Sequence, residues 1–127
     1  LRGFFYRASI TPEPYLFEHA VPAGAVHATT GDVARLARAI LSARQGRVEA
    51  PVVVSPAMAR AMLSPQSRES HHPAWGLGPY PWTGWADEAW VSGGEVPGWS
   101  TRVLLVPRLE LGLVVAVNRK DPSLAMS

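Results

Sequence analysis

The residues best suited to chemistry are concentrated in Trp90-Val91-Ser92-Gly93-Gly94-Glu95-Val96-Pro97-Gly98-Trp99-Ser100-Thr101-Arg102. Two adjacent glycines followed by Pro97-Gly98 let bare backbone amides approach another group closely, because glycine carries no Cβ. Such a stretch reads in two ways. One is a bend between paired strands, the commoner use of glycine. The other is the rim of an active site whose amides face a substrate. Other candidates are scattered. His27 precedes a helical pattern and is either a substrate-side group or a loop histidine bonded to backbone. His71 and His72 are adjacent, so they point apart, and no further ligand is suitably spaced for a metal. Asp87 and Glu88 are neighbours in a turn, a poor arrangement for an acid/base pair. Trp75, Trp82, Trp85, Trp90 and Trp99 serve either as packing, the usual fate of tryptophan, or as a stacking wall for a ligand.

Positioning those residues requires helices first and strands afterwards. Residues 1–20 read as extended chain with one short strand and then loop, since Thr11-Pro12-Glu13-Pro14 opposes regular structure. Thr29 or Thr30 is placed to cap a helix with Asp32 in its first turn. Val33, Leu36, Ala37, Ile40 and Leu41 fall on one face at helical spacing, and Gly46 stops the helix. Ser55-Pro56 starts a second helix, with Met58, Met62 and Leu63 as its apolar face and Ser64-Pro65 as its end. Strands are expected at 75–80, at 89–92, at 101–106 and at 111–118. Residues 81–88 form a turn, the two glycines a second turn, and Pro107 to Glu110 a hairpin connection. The run Leu111-Gly112-Leu113-Val114-Val115-Ala116-Val117 is apolar throughout and suits a strand covered on both faces. Asp121 to Met126 reads as the first turn of a helix. The sum is an α+β layout.

At 127 residues the chain holds at most one domain, and 47% apolar residues suffice for a core. The formal charge is +2, Lys120 is the only lysine, and the arginines are dispersed, so no nucleic-acid footprint is present. Without cysteine there are no disulfides or thiolate metal sites. No apolar run is long enough to span a bilayer, and membrane association is otherwise left open.

Four stretches together resemble the serine β-lactamase-like family, which includes class C β-lactamases, D-alanyl-D-alanine carboxypeptidases, other penicillin-binding proteins and related esterases. Val21-Pro22-Ala23-Gly24 through Thr29-Thr30-Gly31-Asp32-Val33-Ala34-Arg35-Leu36 is similar to the family's Pro-Ala-Gly-Gly loop and following helix. Ser55-Pro56 to Pro65 resembles its Ser-Pro…Met-Leu-x-Pro helix. Trp75-Gly76-Leu77-Gly78 resembles its Tyr-Gly-Leu-Gly-Trp strand. Ser92 to Val106 with Leu111 to Asn118 resembles its His-Gly-Gly-x-x-Pro-Gly-Phe-Ser-Ser strand pair. The likeness covers roughly residues 21–122 and is to the C-terminal half of the family.

The resemblance implies a partial β-lactamase/transpeptidase-like fold, with residues 1–127 as a single incomplete domain. Its activity would be hydrolysis of amide or ester bonds in a small-molecule or peptide substrate through an acyl-serine. Neither Ser-x-x-Lys nor Tyr-x-Asn occurs in the chain, so the nucleophile and its base are expected upstream and this segment alone is expected to be inactive. The family's Lys-Thr-Gly or His-x-Gly motif falls on Ser92-Gly93-Gly94. Ser92 thus stands where the family keeps a cation, Gly93 and Gly94 flank the substrate, and the Glu95 backbone N–H is the oxyanion donor. No metal or organic cofactor is implied. The alternative is a non-catalytic module that binds peptide or cell-wall fragments. By resemblance the compartment is periplasmic or extracellular. An uncovered sheet would lead to self-association.

Overall fold

The computed structural model describes residues 2–4, 12–14, 26–48, 52–66, 75–82, 88–96 and 98–118. Strands β1 (Arg2–Phe4) and β2 (Pro12–Pro14) form an antiparallel ribbon, pairing Arg2 with Pro14, Gly3 with Glu13 and Phe4 with Pro12. A regular element at Pro12–Pro14 corrects the sequence expectation. Proline lacks a donor, but in a two-stranded ribbon each strand is an edge, where a missing N–H leaves no inner ladder broken.

Helix α1 (Thr30–Arg44) starts at a capping box. The Asp32 N–H donates to Thr29 Oγ1 at 3.1 Å, and the Thr29 N–H donates to Asp32 Oδ2 at 3.2 Å. Two donors that the first turn leaves orphaned are satisfied in this way. Gly46, at φ 81°, follows the helix end in a conformation that favours glycine. Helix α2 (Pro56–Met62) has Ser55 as its cap, with the Met58 N–H donating to Ser55 Oγ at 3.2 Å, and Pro56 in its first turn.

The main sheet is antiparallel in the order β3-β4-β5-β6: β3 (Tyr80–Trp82), β4 (Ala89–Val96), β5 (Trp99–Val106) and β6 (Leu111–Val117). Its helix-side face carries Trp90, Val103 and Leu105. These pack with Ala37, Ile40, Leu41 and Ala43 of α1 and with Ala59 and Leu63 at α2. Full burial of side chains such as Leu41 and Leu63 is worth about 1.5–3 kcal/mol each. Helix α1 crosses the sheet above Gly112: a Cβ placed there would stand 3.5 Å from Ala37 Cβ and 3.6 Å from Leu41 Cδ1.

Several expectations shift. Leu36 and Met58 are exposed, while Ala37, Ala43 and Ala59 are buried, so each helix presents a smaller-residue stripe to the core than periodicity suggested. Trp75 to Pro79 is a turn, not a strand: the Gly76 N–H donates to Pro79 O at 2.9 Å. A Cβ on Gly76 would lie 2.0 Å from the Met62 carbonyl oxygen, so that turn presses directly on the end of α2. Pro81 and Trp82 belong to β3 rather than to a turn. The glycine pair is likewise inside a strand, since β4 continues from Ala89 to Val96. β6 is not covered on both faces. It is the last strand of the order, and Leu111 and Leu113 are 44% and 51% exposed. The expected helical turn at Asp121 to Met126 lies outside the described residues.

Candidate functional site

The site is best built from the β4–β5 hairpin. Its register runs from Val96↔Trp99 through Glu95↔Ser100, Gly94↔Thr101, Gly93↔Arg102 and Ser92↔Val103 to Trp90↔Leu105. Gly98 supplies the positive φ of the reversal, 78°. Two residues separate the closing pair, and tight hairpins of this length close on a hydrogen-bonded pair. Antiparallel pairs alternate between bonded and non-bonded. Ser92, Gly94 and Val96 therefore direct their backbone groups to β5, whereas Gly93 and Glu95 direct theirs the other way.

What lies on that other side decides the character of the site. Strand β3 pairs only with Ala89, Trp90 and Val91. Among the described residues no strand pairs with the outer side of Ser92 to Val96. Among the described residues the Gly93 and Glu95 amides and carbonyls thus form an unpaired strand edge, and such an edge is able to take an extended ligand by main-chain hydrogen bonds.

The two glycines have different reasons for being glycine. A Cβ on Gly93 would lie 2.3 Å from the Thr101 carbonyl oxygen and 3.1 Å from Arg102 Cα, so the backbone of β5 itself excludes any side chain there. The close approach expected at Gly93 exists, and its partner is the neighbouring strand. A Cβ on Gly94 would meet nothing within 4 Å. That position opens onto free space.

Side chains sort by face. Paired residues share a face and successive residues alternate. Ser92 lies on the helix-side face between Trp90 and Gly94, half-buried. Glu95, Ser100, Arg102 and Tyr80 share the opposite face. From β5, Arg102 Nη1 donates to the Tyr80 hydroxyl on β3, crossing the sheet on the side where Gly93 presents no side chain. The Tyr80 and Trp75 rings lie 5.2 Å apart, tilted by 40°. Glu95 is half-buried, and its Oε1 is buried without a hydrogen-bond partner. Ser100, opposite Glu95, is 1% exposed.

The remaining candidates resolve into structural roles. Glu88 Oε1 accepts from Arg44 Nη2 at 2.8 Å and from Trp90 Nε1 at 2.9 Å, tying the end of α1 to the start of β4. Asp32 serves the α1 cap; its carboxyl is held below the ordinary value by the Thr29 hydroxyl and backbone N–H and by Arg35. Glu110 is held low by hydrogen bonds from Arg47 and Gln45. His27 is exposed ahead of α1. Trp82 sits in β3, Trp90 in the core and Trp99 at the hairpin, so the described tryptophans form no single platform. His71, His72, Trp85 and Asp87 lie outside the described residues. Among the described residues no group of three or more His, Asp or Glu side chains could hold a metal ion. No helix among them is long and apolar enough to cross a membrane. Sequence reasoning missed the Arg102–Tyr80 bridge; the two residues stand 22 apart in the chain, and that they share a face depends on strand pairing.

Two helices followed by a four-stranded antiparallel sheet make a partial α+β layout of the serine β-lactamase-like kind. The family model described as Beta-lactamase matches residues 4–126, and the chain belongs to that family. No curated protein matches the chain, and no solved structure matches it.

Proposed function

We propose that this chain supplies the substrate-flanking strand of a serine hydrolase that cleaves amide or ester bonds through an acyl-serine. The observation that carries the reading is the open edge of β4 beyond Val91. An extended substrate laid along that edge would meet the Gly93 and Glu95 backbone groups. Gly94 leaves room beside it. The Glu95 N–H is the donor for the developing oxyanion, a role worth about 3–4 kcal/mol for a single donor. It needs no particular side chain, so it is compatible with the unusual Ser92-Gly93-Gly94-Glu95 sequence. Ser92 offers a hydroxyl where a lysine or histidine stands in the family. The nucleophilic serine and its base belong, on this reading, to sequence upstream of these residues, the chain being the C-terminal part of a larger catalytic domain.

One observation favours a second reading. Ser92 carries no charge and cannot supply the electrostatic help of a cation, which suits a descendant that keeps the cleft to bind peptide or cell-wall fragments without cleaving them. Acylation separates the two. The product of the intact gene is treated with an activated fluorophosphonate and with a penicillin, and its intact mass is measured. A covalent adduct on a serine upstream of Leu1 supports the hydrolase. No adduct with either reagent favours the binding module. An adduct within the 127 residues contradicts the assignment of the nucleophile.

A further inference from the structure

Gly94 is unexplained by the fold around it. Glycine inside a strand lowers stability relative to alanine, and two common reasons for keeping it do not apply. Its φ is not positive, unlike those of Gly46, Gly78 and Gly98, and a Cβ placed on it would meet nothing within 4 Å. The missing side chain leaves a notch on the helix-side face of β4. Strand register sets its borders. Val96 and its partner Trp99 stand on one side, Ser92 and its partner Val103 on the other, and Thr101 lies directly across. Gly94 and Thr101 are exposed and Trp99 is half-buried, so a ligand has access to the notch. Thr101 Oγ1 donates to the Gly94 carbonyl at 3.4 Å, which gives that hydroxyl an acceptor within the sheet, and Val96 and Trp99 make the adjoining rim apolar.

We infer that Gly94 and Trp99 form a subsite for an aromatic side chain of an extended, peptide-like ligand. This rests on the proposed reading of the β4 edge as the substrate strand. Gly93 and Glu95 direct their backbone groups to that edge, so an antiparallel ligand bonded to them meets Gly94 in a non-bonded pair. Cα atoms in such a pair are about 4.5 Å apart, and side chains come closer than in a bonded pair. The ligand residue opposite Gly94 puts its side chain on the same face, where Gly94 offers none to oppose it. An aromatic ring laid over an edge glycine covers backbone that is otherwise bare, a device known from sheet design. A ring extended across Gly94 also approaches Trp99, the diagonal neighbour on β5, for an offset or edge-to-face contact. An aliphatic side chain gains burial without the ring contact, and a methyl group leaves the notch unfilled.

The test is binding, measured by calorimetry on the product of the intact gene. The probes are three blocked tripeptides, acetyl-Ala-Phe-Ala-amide and its leucine and alanine counterparts. The phenylalanine peptide is expected to bind at least tenfold more tightly than the alanine peptide, with the leucine peptide between them. Gly94→Val fills the notch from free space, so the unfolding temperature is retained while the phenylalanine-to-alanine ratio falls towards one. Trp99→Ala brings the phenylalanine peptide down to the level of the leucine peptide. Equal binding of the phenylalanine and leucine peptides by the unaltered protein, binding of neither, or a preference that survives Gly94→Val overturns the inference. Acylation of the same protein reports on the hydrolase reading independently. An adduct with no aromatic preference leaves that reading standing and this inference refuted, whereas an aromatic preference without an adduct upholds the subsite in a binding module.

Discussion

At the scale of single residues, Gly93 and Gly94 make opposite predictions. Gly93→Ala drives a methyl group into the Thr101 carbonyl, 2.3 Å away, with backbone rather than a flexible side chain on the receiving side. Destabilisation of about 1–3 kcal/mol is expected, as for overpacked sites, and a denaturant titration reads it. Gly94→Ala meets no atom within 4 Å, so stability is expected to stay level or rise by about 0.5–1 kcal/mol, the usual advantage of alanine over glycine inside a strand. The sequence marked both residues as special and could not separate them. Which backbone a glycine approaches depends on strand register, and register is a tertiary property. The same holds for Arg102, whose bridge to Tyr80 spans three strands.

At the scale of elements, α1 was legible because its signals are local. Thr29, Asp32, the apolar spacing and Gly46 all lie within one stretch, and each serves the start, face or end of the helix as read. Thr29→Ala is expected to cost about 1 kcal/mol, read by thermal or denaturant unfolding. Its partner Asp32 makes the first turn pH-dependent. The Thr29 hydrogen bonds, and secondarily Arg35, lower the folded pKa of this carboxyl. The folded state therefore binds the proton less readily than the unfolded one. The stabilisation is fully present above the ordinary aspartate pKa of about 3.9 and is lost as pH falls through the lowered folded value. Amide exchange at Asp32 and Val33, followed from pH 5 downwards, is expected to accelerate beyond its intrinsic pH trend, and Asp32→Asn to abolish that extra acceleration. The hairpin β5–β6 was equally legible. The turn expected at the glycine pair was not, because a Gly-Gly step is compatible with a strand as well as a bend. The reversal is placed instead between Val96 and Trp99.

At the scale of the whole molecule, the described sheet ends in an edge strand without a single charge from Leu111 to Val117. Leu111 and Leu113 are substantially exposed on it. Natural edges usually carry a charge, a proline or a bulge that prevents pairing with another chain. The 127 residues expressed alone are expected to self-associate in sedimentation velocity, and Leu113→Lys to shift them towards monomer. A sharp monomer with one cooperative unfolding transition would count against that expectation. Family membership was legible from four short stretches in order, whereas the openness of the β4 edge was not. Among the described residues that openness depends on β3 being only three residues long, and the sequence suggested a longer strand at 75–80.

The central claim is that the open edge of β4 presents the Glu95 N–H to a reacting carbonyl. Its most direct test is Glu95→Pro in the product of the intact gene, with turnover of an activated ester and thermal unfolding measured side by side. Proline removes the N–H that points away from β5, so no ladder bond is lost, and Glu95→Ala, which removes the carboxylate alone, is measured beside it as the reference. The expected result is an unfolding temperature close to that of the unaltered protein, with ester turnover reduced by about 10²–10³-fold, the cost of one oxyanion donor. Undiminished turnover, or loss of the fold, would contradict the claim.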